Sequence, residues 1–114
     1  MRTHELHIAK TESRFREANE RIADSAEQFG LQRAELVCEC ADPECGHRIE
    51  APLEDYEQVR ADGALFLVAP EHQVQEHEEV VQSRAGYRII EKLRAVGSAA
   101  RRLDPRSARA SPAR

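Results

Sequence analysis

Apolar residues recur at Phe15, Ala18, Ile22, Ala26 and Phe29, spacings that wind onto one face of a helix. This periodicity predicts an amphipathic helix over residues 12–29, capped by Thr11 or Ser13 and stopped by Gly30. The opposite face, with Arg14, Glu17, Glu20, Arg21, Asp24 and Glu27, reads as solvated surface. The pattern then shortens. A strand is expected from Ala34 to Cys40, a second from Arg48 to Ala51, and a compact apolar one from Ala64 to Ala69. Between the last two, residues 52–62 suit a short helix, with Pro52 in its first turn and Gly63 beyond its end. Leu53, Tyr56 and Val59 fall on its inward side. Glu79–Gln82 and Tyr87–Glu91 read as two further strands joined by the turn Ser83-Arg84-Ala85-Gly86.

After Lys92 the pattern weakens. Leu93, Val96, Ala99, Ala100 and Leu103 suit a short helix, but Gly97 and Ser98 count against it, and Asp104 onward has no apolar period. The expected organisation is a flexible N-terminus at 1–11, an α+β domain at 12–92 and a basic, largely disordered tail at 93–114. The domain would hold a small, mostly antiparallel sheet.

Charge sharpens this division. Residues 1–83 hold eight basic and nineteen acidic side chains, and residues 84–114 hold nine basic and two acidic. That is an acidic body with a basic arm. Fifteen Arg against two Lys fits a GC-rich bacterial genome and carries no functional weight. No apolar run approaches the roughly 18 residues of a membrane span. The opening MRTHELHIAK lacks the apolar stretch of a signal peptide, so a cytoplasmic protein is expected.

The chemistry concentrates at Cys38-Glu39-Cys40-Ala41-Asp42-Pro43-Glu44-Cys45-Gly46-His47. Alternation along a strand points Cys38 and Cys40 to one face, and a type I turn at Asp42-Pro43 returns Cys45 towards them. Three cysteines are an odd number for a disulfide framework, and clustered cytosolic thiols are more often metal-binding or catalytic. The expected ion is a structural zinc in a zinc knuckle, which needs a fourth ligand. On spacing alone, His47 and His72 are equal candidates. His47 closes a local set, whereas His72 would tie the knuckle to the sheet; His77 stands further off. Glu39, Asp42, Glu44 and Glu50 make the surroundings acidic, which disfavours a reactive free thiolate and favours a divalent cation.

These cysteines, together with Tyr56-Glu57-Gln58-Val59-Arg60, Phe66-Leu67-Val68-Ala69-Pro70-Glu71-His72 and Tyr87 to Lys92, resemble a family of small uncharacterised bacterial proteins. Its pattern is C-x-C-x4-C, E-Y-x-x-V-R, F-x-V-x-P-x-H and a closing Y-x-V-x-E-K. The resemblance spans roughly residues 14–92 and implies Cys38, Cys40, Cys45 and His72 as the metal ligands, with Glu71 standing where the family often has Gly. It implies no activity.

No P-loop, dinucleotide fingerprint, nucleophile elbow or H-E-x-x-H motif is present, so an enzyme is not expected. The acidic stretch around His72 and Glu76-His77-Glu78-Glu79 reads as solvated surface. Three functions follow, in order. The first is a zinc-stabilised, non-enzymatic module that binds another protein or regulates one. The second is a nucleic-acid-associated protein docking through Arg94, Arg101, Arg102, Arg106 and Arg109. The third is a thiol or zinc redox sensor.

Overall fold

The computed structural model describes residues 3–40, 42, 44–72 and 74–106, with 3–9 as helix backbone only. The fold is α+β. Helix α1 (Thr3–Gln28) leads into strands β1 (Arg33–Val37) and β2 (Arg48–Pro52), then helix α2 (Leu53–Val59). Strands β3 (Leu65–Val68), β4 (Glu78–Arg84) and β5 (Tyr87–Lys92) follow, and helix α3 (Arg94–Arg102) comes last. Among the described residues, no helix is long and apolar enough to cross a membrane.

The strands form two antiparallel sheets where one was expected: β1-β2, and a three-stranded sheet in the order β3-β5-β4. The reason lies at Glu39. Beyond β1, the Cys38 amide still bonds the His47 carbonyl, but the next amide, of Glu39, turns to the Leu67 carbonyl of β3. The Glu39 carboxylate then accepts the Leu67 amide at 3.0 Å. Glu39 therefore joins the sheets, and its side chain takes the bond that a neighbouring strand's carbonyl would otherwise take.

The core follows strand parity. Ala34 and Leu36 of β1 and Ile49 and Ala51 of β2 are buried, while their alternate neighbours Arg33, Glu35, Arg48 and Glu50 are exposed. Tyr56, Val59, Phe66, Leu67, Val68 and Ile90 complete it. Beyond Glu78, β4 is an exposed edge strand with a bulge between Val80 and Gln82.

Helix α1 departs from its expected form in two ways. It begins at Thr3, not at residue 12, because nothing between Thr3 and Thr11 is a Gly or Pro that would break it. Its buried stripe is also rotated. Glu12, Arg16, Asn19, Glu20, Ala23 and Ala26 are buried, Phe15, Ala18 and Ile22 only half so, and Phe29 is 78% exposed. Gly30 ends the helix as expected, with φ +72° and the Leu31 amide closing onto the Ala26 carbonyl.

Polar groups enter the core because they have partners. Arg16 lies 4.0 Å over the Phe66 ring. Its guanidinium donates to the carbonyls of Gly63, Leu65 and Ala100, joining α1 to β3 and α3. Asn19 bonds both backbone groups of Val37 and the Glu39 carboxylate. Glu20 accepts from Tyr56, Arg60 and Arg106, so the face expected to be solvated carries the hub that links α1 to α2 and the C-terminal segment.

The chain after Lys92 is helical over Arg94–Arg102 and packed, with Val96, Ala99 and Ala100 buried. Gly97, which weakened the helix in sequence, is what lets α3 approach β5. A Cβ there would sit 2.4 Å from the Lys92 carbonyl oxygen. Gly97→Ala is expected to lose about 1–3 kcal/mol to this backbone clash, although alanine is the better helix former. Chemical denaturation checks this, and an unchanged midpoint would contradict the packing.

Glu20 also sets an acid limit. Burial pushes its carboxyl up, but hydrogen bonds from Arg106 and Tyr56 and the charges of Arg106 and Arg60 outweigh it, holding the group at about 2 against an ordinary 4.5. A depressed carboxyl stabilises the fold above its unfolded pKa, and that stability is lost as pH falls towards the folded value. Glu20→Gln is therefore expected to cost roughly 3 kcal/mol near neutrality. The gap to the wild type should close between about pH 4.5 and 2 in pH-dependent denaturant unfolding.

Candidate metal centre

Two turns and a strand end build the site. Past β1, the extended chain sends Cys38 and Cys40 to one side and Glu39 into the core on the other. The Cys45 amide donates to the Asp42 carbonyl, the closing bond that an Asp-Pro turn predicts, and the Glu44 amide bonds the Asp42 carboxylate. Gly46 takes φ +63°, a left-handed conformation that glycine adopts without strain, and the His47 amide turns back to the Cys45 sulfur. After β3, the His72 amide closes onto the Ala69 carbonyl around Pro70. That turn carries the imidazole back over the cysteines.

The ligand atoms of Cys38, Cys40 and His72 all lie within 4.8 Å of one another. Tetrahedral zinc with 2.3 Å bonds would want thiolates about 3.8 Å apart, so a modest contraction suffices. Cys45 lies outside that trio, half-buried in the same cleft, with its sulfur interacting with those of Cys38 and Cys40. His47 lines the cleft too but is exposed, and its Nδ1 stands 3.9 Å from Glu71. His77 is a further lining residue outside the trio. The cleft measures about 540 Å³.

Backbone amides already face the sulfurs. The Ala69 amide is 3.2 Å from Cys38 Sγ, and the His47 amide serves Cys45. Amide donors of this kind stabilise sulfur carrying negative charge, as a metal-bound thiolate does. Two thiols, an imidazole and a third thiol alongside make a donor set that can hold a soft or borderline metal ion.

The cluster holds its charge unevenly. The Cys38 thiol donates to Cys40, which with the His72 ring holds Cys40 down at about 4. That same bond, and burial, push Cys38 up. Burial likewise raises Cys45. Cys40 and Glu78, bonding the His72 ring, raise it to about 9. The acidic sequence context predicted a poor thiolate at these positions. Immediate neighbours overrule it at Cys40, since a donor in contact outweighs more distant carboxylates.

Behind His72 lies a second layer that the sequence reading left as solvated surface. Glu78 Oε1 lies 3.0 Å from His72 Nε2, and Glu78 is itself bonded by Lys92, which also reaches Glu12 of α1 at 2.6 Å. Glu12, Glu78 and Lys92 are all buried. Lys92 was the available signal. It shares strand parity with the buried Ile90, and an inward lysine requires a carboxylate partner. Glu78 stands directly opposite it in the β4–β5 ladder.

Two arginines of the basic arm are paired within the fold. Arg101 pairs with Asp62, and Arg106 with Glu20 and Glu57. Arg94 and Arg102 are exposed, and Arg109 lies outside the described residues. No protein-family model, curated protein or solved structure matches the chain, so the site is read from its own geometry.

Proposed function

We propose that this chain is a zinc-stabilised, non-enzymatic module that binds another protein, with zinc held by Cys38, Cys40, Cys45 and His72. The observation that carries the reading is the convergence of the Cys38, Cys40 and His72 donor atoms within 4.8 Å, from segments more than thirty residues apart. Zinc suits thiolate and imidazole donors, and four protein ligands close the coordination sphere, leaving no position for a substrate. The ion then acts as a cross-link between the knuckle and the β3–β4 connection. Phe29 and Leu31, 78% and 56% exposed at the end of α1, supply an apolar contact for a partner.

The nucleic-acid reading has less support, because Arg101 and Arg106 are neutralised within the fold. The redox reading has one observation in its favour, the Cys40 sulfur lying within 4.8 Å of a His72 ring nitrogen. Metal analysis of reduced protein should give one zinc per chain. Affinity capture should return protein partners that resist nuclease and are lost with Phe29→Asp, but are kept with Arg94→Gln combined with Arg102→Gln. Deleting residues 93–114 is unsuitable as a test, because α3 belongs to the core. Nuclease-sensitive capture, or protein without metal, would defeat the reading.

A further inference from the structure

We infer that Glu78 is a positioning residue that fixes His72 as an Nδ1 ligand; the inference rests on the zinc reading above. Glu78 has no freedom to do otherwise. Its Oε1 accepts the Gln75 amide at 2.9 Å and contacts His72 Nε2 at 3.0 Å, while Oε2 is bonded by Lys92. Lys92 is held in turn by Glu12, and all three side chains are buried.

A carboxylate already receiving an amide and an ammonium is an acceptor at both oxygens. The 3.0 Å contact is therefore a hydrogen bond only if His72 Nε2 carries the proton and donates. In the neutral ring that leaves the lone pair on Nδ1. The ring contacts both Glu78 and Cys40, and with Nε2 engaged by Glu78 the nitrogen left to serve the thiols and an ion is Nδ1. A ligating histidine whose other nitrogen donates to a carboxylate has its tautomer and ring orientation set before the metal arrives.

The rest of the cluster explains why such a strut is needed. Cys38 and Cys40 are placed by the backbone junction at Glu39 and Leu67. His72 sits on a turn in the β3–β4 connection, with no strand to hold it. Glu78, the first residue of β4, anchors that turn to the β4–β5 ladder. Lys92 and Glu12 extend the anchor to α1, so the long helix and the metal site share one polar chain through the interior.

The test reads the imidazole directly. In zinc-loaded, ¹⁵N-labelled wild type, long-range proton–nitrogen correlations of the His72 ring should show a protonated Nε2 and a metal-bound Nδ1. Metal on Nε2 would overturn the inference without requiring any variant. Glu78→Gln should weaken zinc affinity roughly 10–100-fold in chelator competition. Its cobalt-substituted form should keep the thiolate charge-transfer bands, because the cysteines stay in place. Affinity within twofold of wild type would also overturn the inference. Wild type that binds no zinc removes the reading beneath it, an outcome distinct from zinc bound with Glu78 irrelevant.

Discussion

Chelating zinc from a zinc-loaded, reduced sample is expected to lower its unfolding free energy by about 4 kcal/mol, the linkage from an ion supplied at a thousand times its dissociation constant. That corresponds to a fall of roughly 15–25 °C in melting temperature for a domain of this size. Zinc contributes about 10–16 kcal/mol to finger peptides that have no other core. Here Leu36, Ile49, Tyr56, Phe66 and Ile90 form a core of their own, so the loss should leave a weakened fold, not an unfolded chain. Cys40→Ala should match chelation and be insensitive to added zinc. His72, raised to about 9, and the raised thiols Cys38 and Cys45 must each surrender a proton to bind the ion. Affinity should therefore climb with pH, and calorimetry in buffers of different ionisation enthalpy should record proton release. Calorimetric melting that is unmoved by chelation of a metal-loaded sample would refute the structural role.

Lys92→Ala is expected to cost roughly 3–5 kcal/mol, the penalty for leaving buried charges without their partner. It would leave the carboxylates of Glu12 and Glu78 facing each other in the interior. Burial already lifts Glu12 to about 7 even with the ammonium beside it. Without that cation both carboxyls move up. A group with a raised folded pKa stabilises below it and loses that stability as pH climbs. The variant's deficit should therefore be largest above neutrality and shrink towards pH 5. Adding Glu12→Gln should recover part of the loss, because the remaining carboxylate no longer meets a like charge. Denaturant titration of the single and double variants across pH decides it. A deficit independent of pH would mean that the lysine acts through packing alone.

The elements themselves were legible in sequence to within a few residues, apart from the start of α1 and the packing of α3. Period-two alternation located β1 and β2, Pro52 and Gly63 bracketed α2, and Gly30 ended α1. The thiols were legible because their spacing is local: a strand end and an Asp-Pro turn bring Cys45 back towards Cys38 and Cys40. His47 and His72 could not be separated by spacing. Only the turn at Ala69–His72 brings the second ring beside the thiols, while the first points to Glu71.

Misplaced features share one cause. Glu20 and Glu78 read as surface, and nothing local marks Glu12, Arg16, Asn19 or Glu39 as buried, since polarity alone predicts exposure. Each is buried because a partner distant in the chain satisfies it: Lys92 for Glu12 and Glu78, the Gly63 and Ala100 carbonyls for Arg16, Leu67 for Glu39. Gly97 likewise reads as a helix breaker until the Lys92 carbonyl is seen against it.

What the sequence determines by itself is therefore the local layer: element type, turn positions and a thiol cluster within one short loop, all governed by interactions between near neighbours. The tertiary structure alone decides which face of α1 is buried, which histidine joins the cysteines and which carboxylate orients it. Burial of a polar group depends on whether a complementary group meets it in space, and here those partners lie from fourteen to eighty-six residues apart.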